Sequence, residues 1–246
     1  MTDYAEIAAH VERDVKDAKL VELREDGLYR HVEFKALQGW SRIILVTWPY
    51  NLLVAGSHGS FHFERFGQDT EDMFNWLRGI RVEPDRWASK LVNGADSVRE
   101  YDRERLVAEV KAEVAEAVKE GAPRGLRAAV REQILDSDRL HSRDWAMQMV
   151  YDFEHGVTYR SECSCGASED HDNQSDAYLW EFGKHSVRRL EGEHEVKVRE
   201  IGGFAFSDVG EWSIDKLNYH FVYQCYAASW AIAQYDAARK TAGVAA

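Results

Sequence analysis

The densest group of potential metal ligands lies in one polar segment of the chain. Cys163 and Cys165 are separated by a single residue, and His171 follows beside Asp170 and Asp172. Thiolates and imidazoles are the ligands of tetrahedral zinc sites, but zinc-binding cysteine pairs usually enclose two to four residues. We therefore weigh a zinc site built on Cys163, Cys165 and His171 against a mobile loop that holds no metal. The remaining ligand would have to come from elsewhere in the chain: His155, His185 or Cys225.

A glycine turn at residues 56–60 offers a second kind of chemistry. Ser57, His58, Gly59 and Ser60 can present backbone N–H groups and hydroxyls to a phosphate or a carboxylate, as in an anion-binding nest. The lysine and the helix that follow the glycines of a phosphate loop are missing. A tight hairpin between two strands accounts for the same residues and is the favoured interpretation.

His62 and Glu64 alternate with Phe61 and Phe63, so a strand here would carry a histidine and a carboxylate on one face. Such a pair performs acid–base catalysis only where a pocket shifts its pKa. The sequence contains no nucleophile-elbow, zinc-protease or dinucleotide-binding pattern. These observations favour a binding protein over an enzyme and leave the enzyme question open.

Short apolar runs joined by turn residues dominate the first 66 residues. The pair Asp26-Gly27 between two such runs is a strong hairpin signal, because both residues tolerate positive φ. Residues 43–46, Ile-Ile-Leu-Val, form an unbroken apolar run that predicts a central strand. The short connections imply an antiparallel meander of about five strands. The predicted strands are Lys19–Arg24, Leu28–Lys35, Ser41–Trp48, Leu52–Ala55 and Ser60–Phe66.

Helical periodicity replaces the strand signals further along the chain. Residues 156–183 are the least regular part of the chain, and the polar run 161–175, which is short of apolar anchors, predicts a loop. Weak alternation over Glu195–Ile201, with Phe204 and Phe206 after Gly202-Gly203, predicts a strand. Residues 215–239 are apolar on nearly every side and predict a buried helix. The fold class is therefore α+β: an N-terminal β-meander, a helical middle section and a buried C-terminal helix. The other predicted helices cover residues 3–17, Thr70–Arg78, a segment that begins at Pro84, Ser97–Glu120, Leu126–Leu135 and Arg143–His155.

Length and charge limit the organisation and the partners. The 246 residues suit one domain, with possible subdivisions at 1–80, 81–155 and 156–246. The net charge of −12 disfavours direct binding to nucleic acid and suits a protein partner with a basic surface. Neither a secretion signal nor an apolar run of about 20 residues is visible, so we expect a cytoplasmic protein without a membrane span.

Two stretches resemble an uncharacterised group of bacteriophage and prophage proteins. The first covers about residues 20–80 and includes Leu45-Val-Thr-Trp-Pro-Tyr-Asn-Leu-Leu and Gly56-Ser-His-Gly-Ser-Phe-His-Phe. The second, about residues 204–240, includes Leu217-Asn-Tyr-His-Phe-Val-Tyr-Gln-Cys-Tyr. The resemblance implies a phage accessory protein that acts in the host cytoplasm, and it implies no catalytic residue.

Three functional hypotheses follow. The first is an accessory protein that binds, and thereby inhibits, a host factor or defence system. The second is a metal-assisted hydrolase or nucleotide-processing enzyme that uses the Cys/His/Asp segment. The third is a homo-oligomeric structural protein assembled through the helix at 97–121, whose apolar positions Val107, Val110, Val114 and Ala117 recur at helical spacing.

Overall fold

The computed structural model describes residues 4–36, 41–67, 71–182 and 195–244 and confirms the α+β class. The α-helices are α1 (Ala5–Val15), α2 (Met73–Leu77), α3 (Pro84–Ala88), α4 (Arg103–Glu120), α5 (Leu126–Val130), α6 (Arg143–Tyr151), α7 (Gln174–Phe182) and α8 (Tyr219–Val244). Short 3-10 helices cover Ala95–Val98, Asp138–His141 and Val209–Glu211, and a π-helical turn covers Arg131–Leu135. Within these ranges, no helix combines the length and the apolar character that crossing a membrane requires.

The strands are short and fall into two groups along the chain. The first group is β1 (Ala18–Asp26), β2 (Tyr29–Ala36), β3 (Arg42–Trp48), β4 (Asn51–Gly56) and β5 (Gly59–Glu64). The second group is β6 (Arg99–Tyr101), β7 (Glu154–His155), β8 (Tyr159–Cys163), β9 (Ser168–His171), β10 (Val196–Glu200), β11 (Phe204–Ala205) and β12 (Asp215–Leu217).

The chain divides into two compact units. Met1–Glu100 and Lys216–Ala246 form the first unit, and Tyr101–Asp215 form the second. Each unit has its own buried apolar cluster. The C-terminal helix α8 therefore belongs with the N-terminal sheet.

The first unit is built on the predicted meander, which the structure confirms with the strand order β1-β2-β3-β4-β5. Every neighbouring pair is antiparallel. The turn between β1 and β2 contains Gly27 at φ +58°, a backbone conformation that glycine adopts without strain. Along the outer edge of β5, backbone hydrogen bonds join Glu64 to Lys90 and Val92 to His62. This contact covers a sheet edge that would otherwise present unpaired backbone groups.

Alternation along the strands separates a core face of the sheet from an outer face. In β3, Ile43 and Leu45 are buried, whereas Ile44 and Val46 on the other side are half-buried. β3 is the central strand, as its apolar run predicts. The core face packs against α8, which contacts β3, β4 and β5 as well as α1, α2 and α3. The largest fully buried side chains of α8 are Phe221 and Tyr223.

The second unit is mainly helical. Leu106, Val110 and Val114 of α4 are buried in the core of this unit. The helix begins later than predicted, because the side chain of Asp102 accepts hydrogen bonds from the N–H groups of Glu104 and Arg105 and caps α4 there. The predicted helix at Leu126–Leu135 is an α-helical turn followed by the π-helical turn.

The prediction of a loop over residues 161–175 is wrong. β8 and β9 form a hairpin in this segment, β10 pairs with the other side of β8, and α7 contacts this sheet. The inward-facing residues are small: Ser161 is fully buried and its hydroxyl donates to the carbonyl oxygen of Ala177, while Cys163 is also buried. The polar composition of β8 gives no strand signal, because a serine that donates a hydrogen bond to the neighbouring helix can fill a core position.

Candidate functional site

Side chains from three elements of the first unit converge to form a cluster rich in titratable groups. Positions 10 and 14 share one face of α1, and positions 219 and 223 share one face of α8, because residues four apart are neighbours on a helix. The β4–β5 turn brings a histidine against α8. We name this set the histidine cluster: His10, Asp14, His58, Tyr219, His220 and Tyr223.

His58 is the centre of the histidine cluster. Its Nδ1 lies 3.1 Å from Nδ1 of His220, so one ring must donate a proton that the other accepts. The His58 ring also stacks against the ring of Tyr223, with 3.8 Å between centroids and 31° between planes. The geometry allows the two histidines to share one proton.

The hydroxyl groups of the cluster point to α1. Tyr223 Oη donates to Asp14 Oδ2 at 3.0 Å, and Tyr219 Oη bonds His10 Nδ1. His10 Nε2 lies 3.5 Å from the same Asp14 oxygen. Each of these polar side chains therefore has a partner inside the cluster.

Burial and neighbouring charge set the protonation of the cluster. Burial lowers the pKa of His58 below its usual value, and the nearby His220 and His10 lower it further, against the opposing effect of Asp14. Burial also raises the pKa of Tyr223, and its hydrogen bond to Asp14 acts in the same direction. The position of His58 in the cluster therefore disfavours its protonated form.

The predicted anion-binding turn lies beside this cluster. The Ser57 N–H donates to the carbonyl oxygen of Arg42 at 3.2 Å, and Ser57 Oγ accepts from the Arg42 N–H at 3.1 Å. The carbonyl oxygen of Gly59 accepts from Gln224 Nε2 at 3.2 Å. Gly59 and Ser60 are exposed, and His58 contacts α8. Much of the polar capacity of Ser57 to Ser60 thus anchors the hairpin.

The structure brings Cys163 close to Cys165 but not to His171. The Cys165 N–H lies 3.5 Å from Cys163 Sγ, in the turn after β8. His171 is paired with Tyr159, four residues from Cys163 on the same strand. At about 3.3 Å per residue, that spacing separates the two positions by about 13 Å. This distance does not fit a shared zinc ion, whose ligands lie about 2.0–2.3 Å from the metal.

A different trio gathers on the outer face of the N-terminal sheet. Potential ligand atoms of Glu22, His31 and Glu33 lie within 4.8 Å of one another. Arg42 donates to both Glu33 oxygens at 2.8 and 3.0 Å, and Arg24 lies 2.8 Å from Glu22. The hydrogen bond from Arg42 lowers the pKa of Glu33. Arginine therefore already neutralises the carboxylates that a cation would need.

His62 and Glu64 share the outer face of β5, as predicted. His62 Nε2 lies 2.8 Å from Asn51 Oδ1, and its ring packs 5.2 Å from Trp48. These contacts give His62 a structural role on the sheet surface.

The second unit carries exposed aromatic side chains among carboxylates on one side of α6. Trp145 is 56% exposed and Tyr151 is 72% exposed. At 100° per residue, positions 144, 145, 148, 151 and 152 lie opposite the buried Ala146 and Val150. The guanidinium of Arg139 lies 5.0 Å from the Trp145 ring centroid. We name this surface the acidic–aromatic face: Asp144, Trp145, Tyr151 and Asp152.

Sequence reasoning missed both groupings. The histidine cluster joins residues more than 200 positions apart, and no local pattern links His10 to Tyr219. The acidic–aromatic face did leave a signal. Trp145 and Tyr151 lie off the apolar stripe of the predicted helix, where a core residue is not expected.

Comparison of the chain with protein-family models, with curated proteins and with solved structures gave no match.

Proposed function

We propose that this protein is a phage accessory protein that works inside a bacterial cell by binding another protein, and that the acidic–aromatic face is its contact surface. The partner would carry a basic surface with an apolar pocket. The phage context rests on the resemblance of residues 20–80 and 204–240 described above. The contact surface rests on charge distribution and on exposed aromatic side chains.

The negative charge is concentrated in the second unit. Residues 101–215 contain 25 acidic and 15 basic side chains, a net charge of −10, whereas the first unit contains 18 and 16, a net charge of −2. A surface of one sign steers a partner of the opposite sign and accelerates association. This asymmetry favours a contact through the second unit.

Besides complementary charge, a protein interface needs side chains that bury a large area, and exposed aromatic residues can provide it. Tryptophan and tyrosine are enriched among the residues that dominate binding energy, because they bury a large area with little loss of conformational freedom. Trp145 and Tyr151 are the two exposed aromatic side chains of α6, and Asp144 and Asp152 lie beside them on the same helix face. The observation that carries the proposal is this combination of aromatic anchors and carboxylates.

The alternative hypotheses have less support. The hydrolase would need the Cys163 segment to gather its ligands, and His171 lies at the other end of the hairpin. An assembly through α4 would need apolar positions that are available for a partner, but Val110 and Val114 are buried in the core of the second unit. The same side chains cannot serve both purposes without opening that core.

Affinity capture from bacterial lysate, with mass spectrometry of the bound proteins, tests the proposal. The bait is the full chain, compared with the double variant Trp145→Ala/Tyr151→Ala. The matched control is Tyr29→Ala, which removes a 60% exposed tyrosine from the first unit. Removing an interface anchor costs about 2 kcal/mol or more, which is roughly a 30-fold loss of affinity.

The expected result is one basic protein that the wild type and Tyr29→Ala retain and the double variant loses. Its capture should weaken as salt rises from about 0.1 M to 1 M, because the Debye length shortens from about 10 Å to about 3 Å. The proposal fails if no protein is captured at either salt concentration, or if the double variant captures the same proteins as the wild type.

A further inference from the structure

A cleft in the second unit combines a hydrophobic floor with cationic walls. It has a volume of about 720 Å³, within the roughly 300–1,000 Å³ of small-molecule sites. One wall is a face of α4 and the other is α5 with the π-helical turn that follows it. The lining residues include Arg103, Lys111, Val114, Arg127, Val130 and Leu135.

The floor of the cleft is aliphatic. Val114 and Val130 are buried members of the core of the second unit, while Val107 and Leu135 are half-buried and pack against that core. Anchoring in the core fixes the floor in place. Among the described residues that line the cleft, every apolar side chain is valine, leucine or alanine, and none is aromatic. A ligand here would pack an aliphatic chain on this floor, because these residues offer no ring for a nucleobase to stack on.

The walls carry positive charge within an otherwise acidic unit. In the described part of the chain, four cationic side chains line the cleft, against the two carboxylates of Glu104 and Asp136. Arg131 lies 3.4 Å from Asp136 and is partly neutralised. No ion pair is found for Arg103, Lys111 or Arg127 within the ranges that the structure describes. The cleft is therefore locally cationic although its unit has a net charge of −10.

The π-helical turn at Arg131–Leu135 is an independent sign of function. π-helical turns are rare, and they recur at functional sites because they break the regular spacing of side chains. Here the turn supplies Arg131 and Leu135, and thus a charged and an apolar group, to the same cleft.

We propose that this cleft binds a small amphiphile that consists of an aliphatic chain and one anionic head group. The chain packs on Val107 and Leu135, which are half-buried and keep part of their surface accessible, beside the buried Val114 and Val130. Arg103, Lys111 and Arg127 hold the head group, which is a carboxylate or a phosphate. This site is separate from the acidic–aromatic face and does not depend on the proposed protein partner.

Isothermal titration calorimetry of the full chain tests the inference with five probes, of which the amphiphiles are used below their critical micelle concentrations. Decanoate and decyl phosphate carry the proposed chemistry with the two alternative head groups. Decyltrimethylammonium has the chain with the opposite charge, and inorganic phosphate has the charge without the chain. Octanoate should bind about tenfold more weakly than decanoate, because two buried methylene groups are lost.

Charge-reversal variants locate the site. Lys111→Glu and Arg127→Glu are exposed positions in the cleft, and each should weaken binding at least about tenfold, because a charge-assisted hydrogen bond is lost and a repulsion is added. The matched control is Lys119→Glu, an exposed position on α4 outside the cleft lining. It makes the same change in net charge and should alter the affinity less than about twofold.

Saturable binding of decyl phosphate alone identifies a phosphate head group, and binding of decanoate alone identifies a carboxylate. The inference is overturned if neither binds or if decyltrimethylammonium binds as tightly. It is also overturned if inorganic phosphate alone accounts for the affinity, or if Lys119→Glu weakens binding as much as Lys111→Glu.

Discussion

Asp72 joins the N-terminal sheet to the helix that follows it, and replacing it gives the sharpest test of how the first unit is stabilised. Its two carboxylate oxygens accept hydrogen bonds from Arg30 at 2.8 and 3.0 Å. The same side chain caps α2 by accepting from the Phe74 N–H at 3.0 Å, and Arg78 Nη1 lies 3.6 Å away. The Arg30 side chain is only 8% exposed, so it has little access to water as an alternative partner.

Two variants separate the charge of Asp72 from its capping role. Asn is as good a helix cap as Asp, so Asp72→Asn removes the charge and keeps the cap. Removing one partner of a buried ion pair costs about 3–5 kcal/mol. Glu25 lies 3.9 Å from Arg30 and still balances part of its charge, so we expect Asp72→Asn to lower the free energy of unfolding of the first unit by about 2–4 kcal/mol. Asp72→Ala also loses the cap and should cost about 1 kcal/mol more.

The pH dependence of Asp72→Asn has a defined sign. Burial raises the pKa of Asp72, but the hydrogen bonds and charge of Arg30 outweigh it, and the pKa lies below its usual value of 3.8. A carboxylate whose pKa is lowered by folding stabilises the protein above the unfolded pKa, and this contribution is lost as pH falls through the folded pKa. The difference in stability between wild type and Asp72→Asn should therefore be constant from pH 7 to about pH 5 and shrink below about pH 4.

Native-state hydrogen exchange suits this test because the chain contains two units. Protection of the β2–β4 amides reports the opening free energy of the first unit. The control is Glu83→Ala, whose exposed ion pair with Arg86 at 3.8 Å should contribute less than about 0.5 kcal/mol. If Asp72→Asn lowers the opening free energy by no more than this control, Asp72 does not have the stabilising role assigned to it.

Three further predictions concern the packing around the β4–β5 hairpin. Phe221→Ala should destabilise the first unit by about 3–5 kcal/mol in denaturant titrations because Phe221 is fully buried, whereas Phe66→Ala, at a 72% exposed position, should change it by less than about 0.5 kcal/mol. Gly56→Ala should lower the free energy of unfolding by more than about 1 kcal/mol in the same assay, because a Cβ there would lie 1.9 Å from the carbonyl oxygen of Arg42. An unchanged denaturation midpoint would show that the hairpin relaxes freely. Because folding lowers the pKa of His58, the unfolded chain binds more protons than the folded one, and stability should fall as pH drops below about 7. His58→Asn should flatten this slope in thermal unfolding followed from pH 7.5 to 5. Equal slopes for the variant and the wild type would contradict a lowered pKa of His58.

The N-terminal sheet was predictable because its signals are local. Asp26-Gly27 specifies the first hairpin, and the unbroken apolar run in β3 specifies a central strand. Period-two alternation then decides which side chains enter the core. The buried helix α8 was predictable for the same reason, since its apolar character on most sides is visible in a single window.

The β8–β9 hairpin of the second unit was not predictable because its strands lack that signature, whereas the weak alternation of Val196, Val198 and Ile201 does indicate β10. β8 and β9 contain Arg160, Ser161, Glu162 and Asp170, which read as a loop. These strands are held by an ion pair across the hairpin and by a neighbouring strand that is distant in sequence. Arg160 donates to both Asp170 oxygens across the hairpin, and β10 begins more than 30 residues after β8 ends.

The sites show the same division between local and distant information. His58 was recognised as a candidate because it lies in a glycine turn, whereas its partners His220 and Tyr223 are reached only through the packing of α8. Cys163 and His171 looked close because eight positions separate them. The hairpin register places them at different ends of the same pair of strands, which spacing in sequence cannot reveal.

A photocrosslinking experiment tests the proposed binding function most directly. p-Benzoylphenylalanine is introduced at position 145 of the acidic–aromatic face or, as the control, at position 29 of the first unit, where exposure is similar. Irradiation in bacterial cells should join a basic protein to the chain carrying the probe at position 145 and leave the position 29 chain without it. If the probe at position 145 gives no specific adduct, or the same adducts as position 29, the acidic–aromatic face is not the contact surface of this protein.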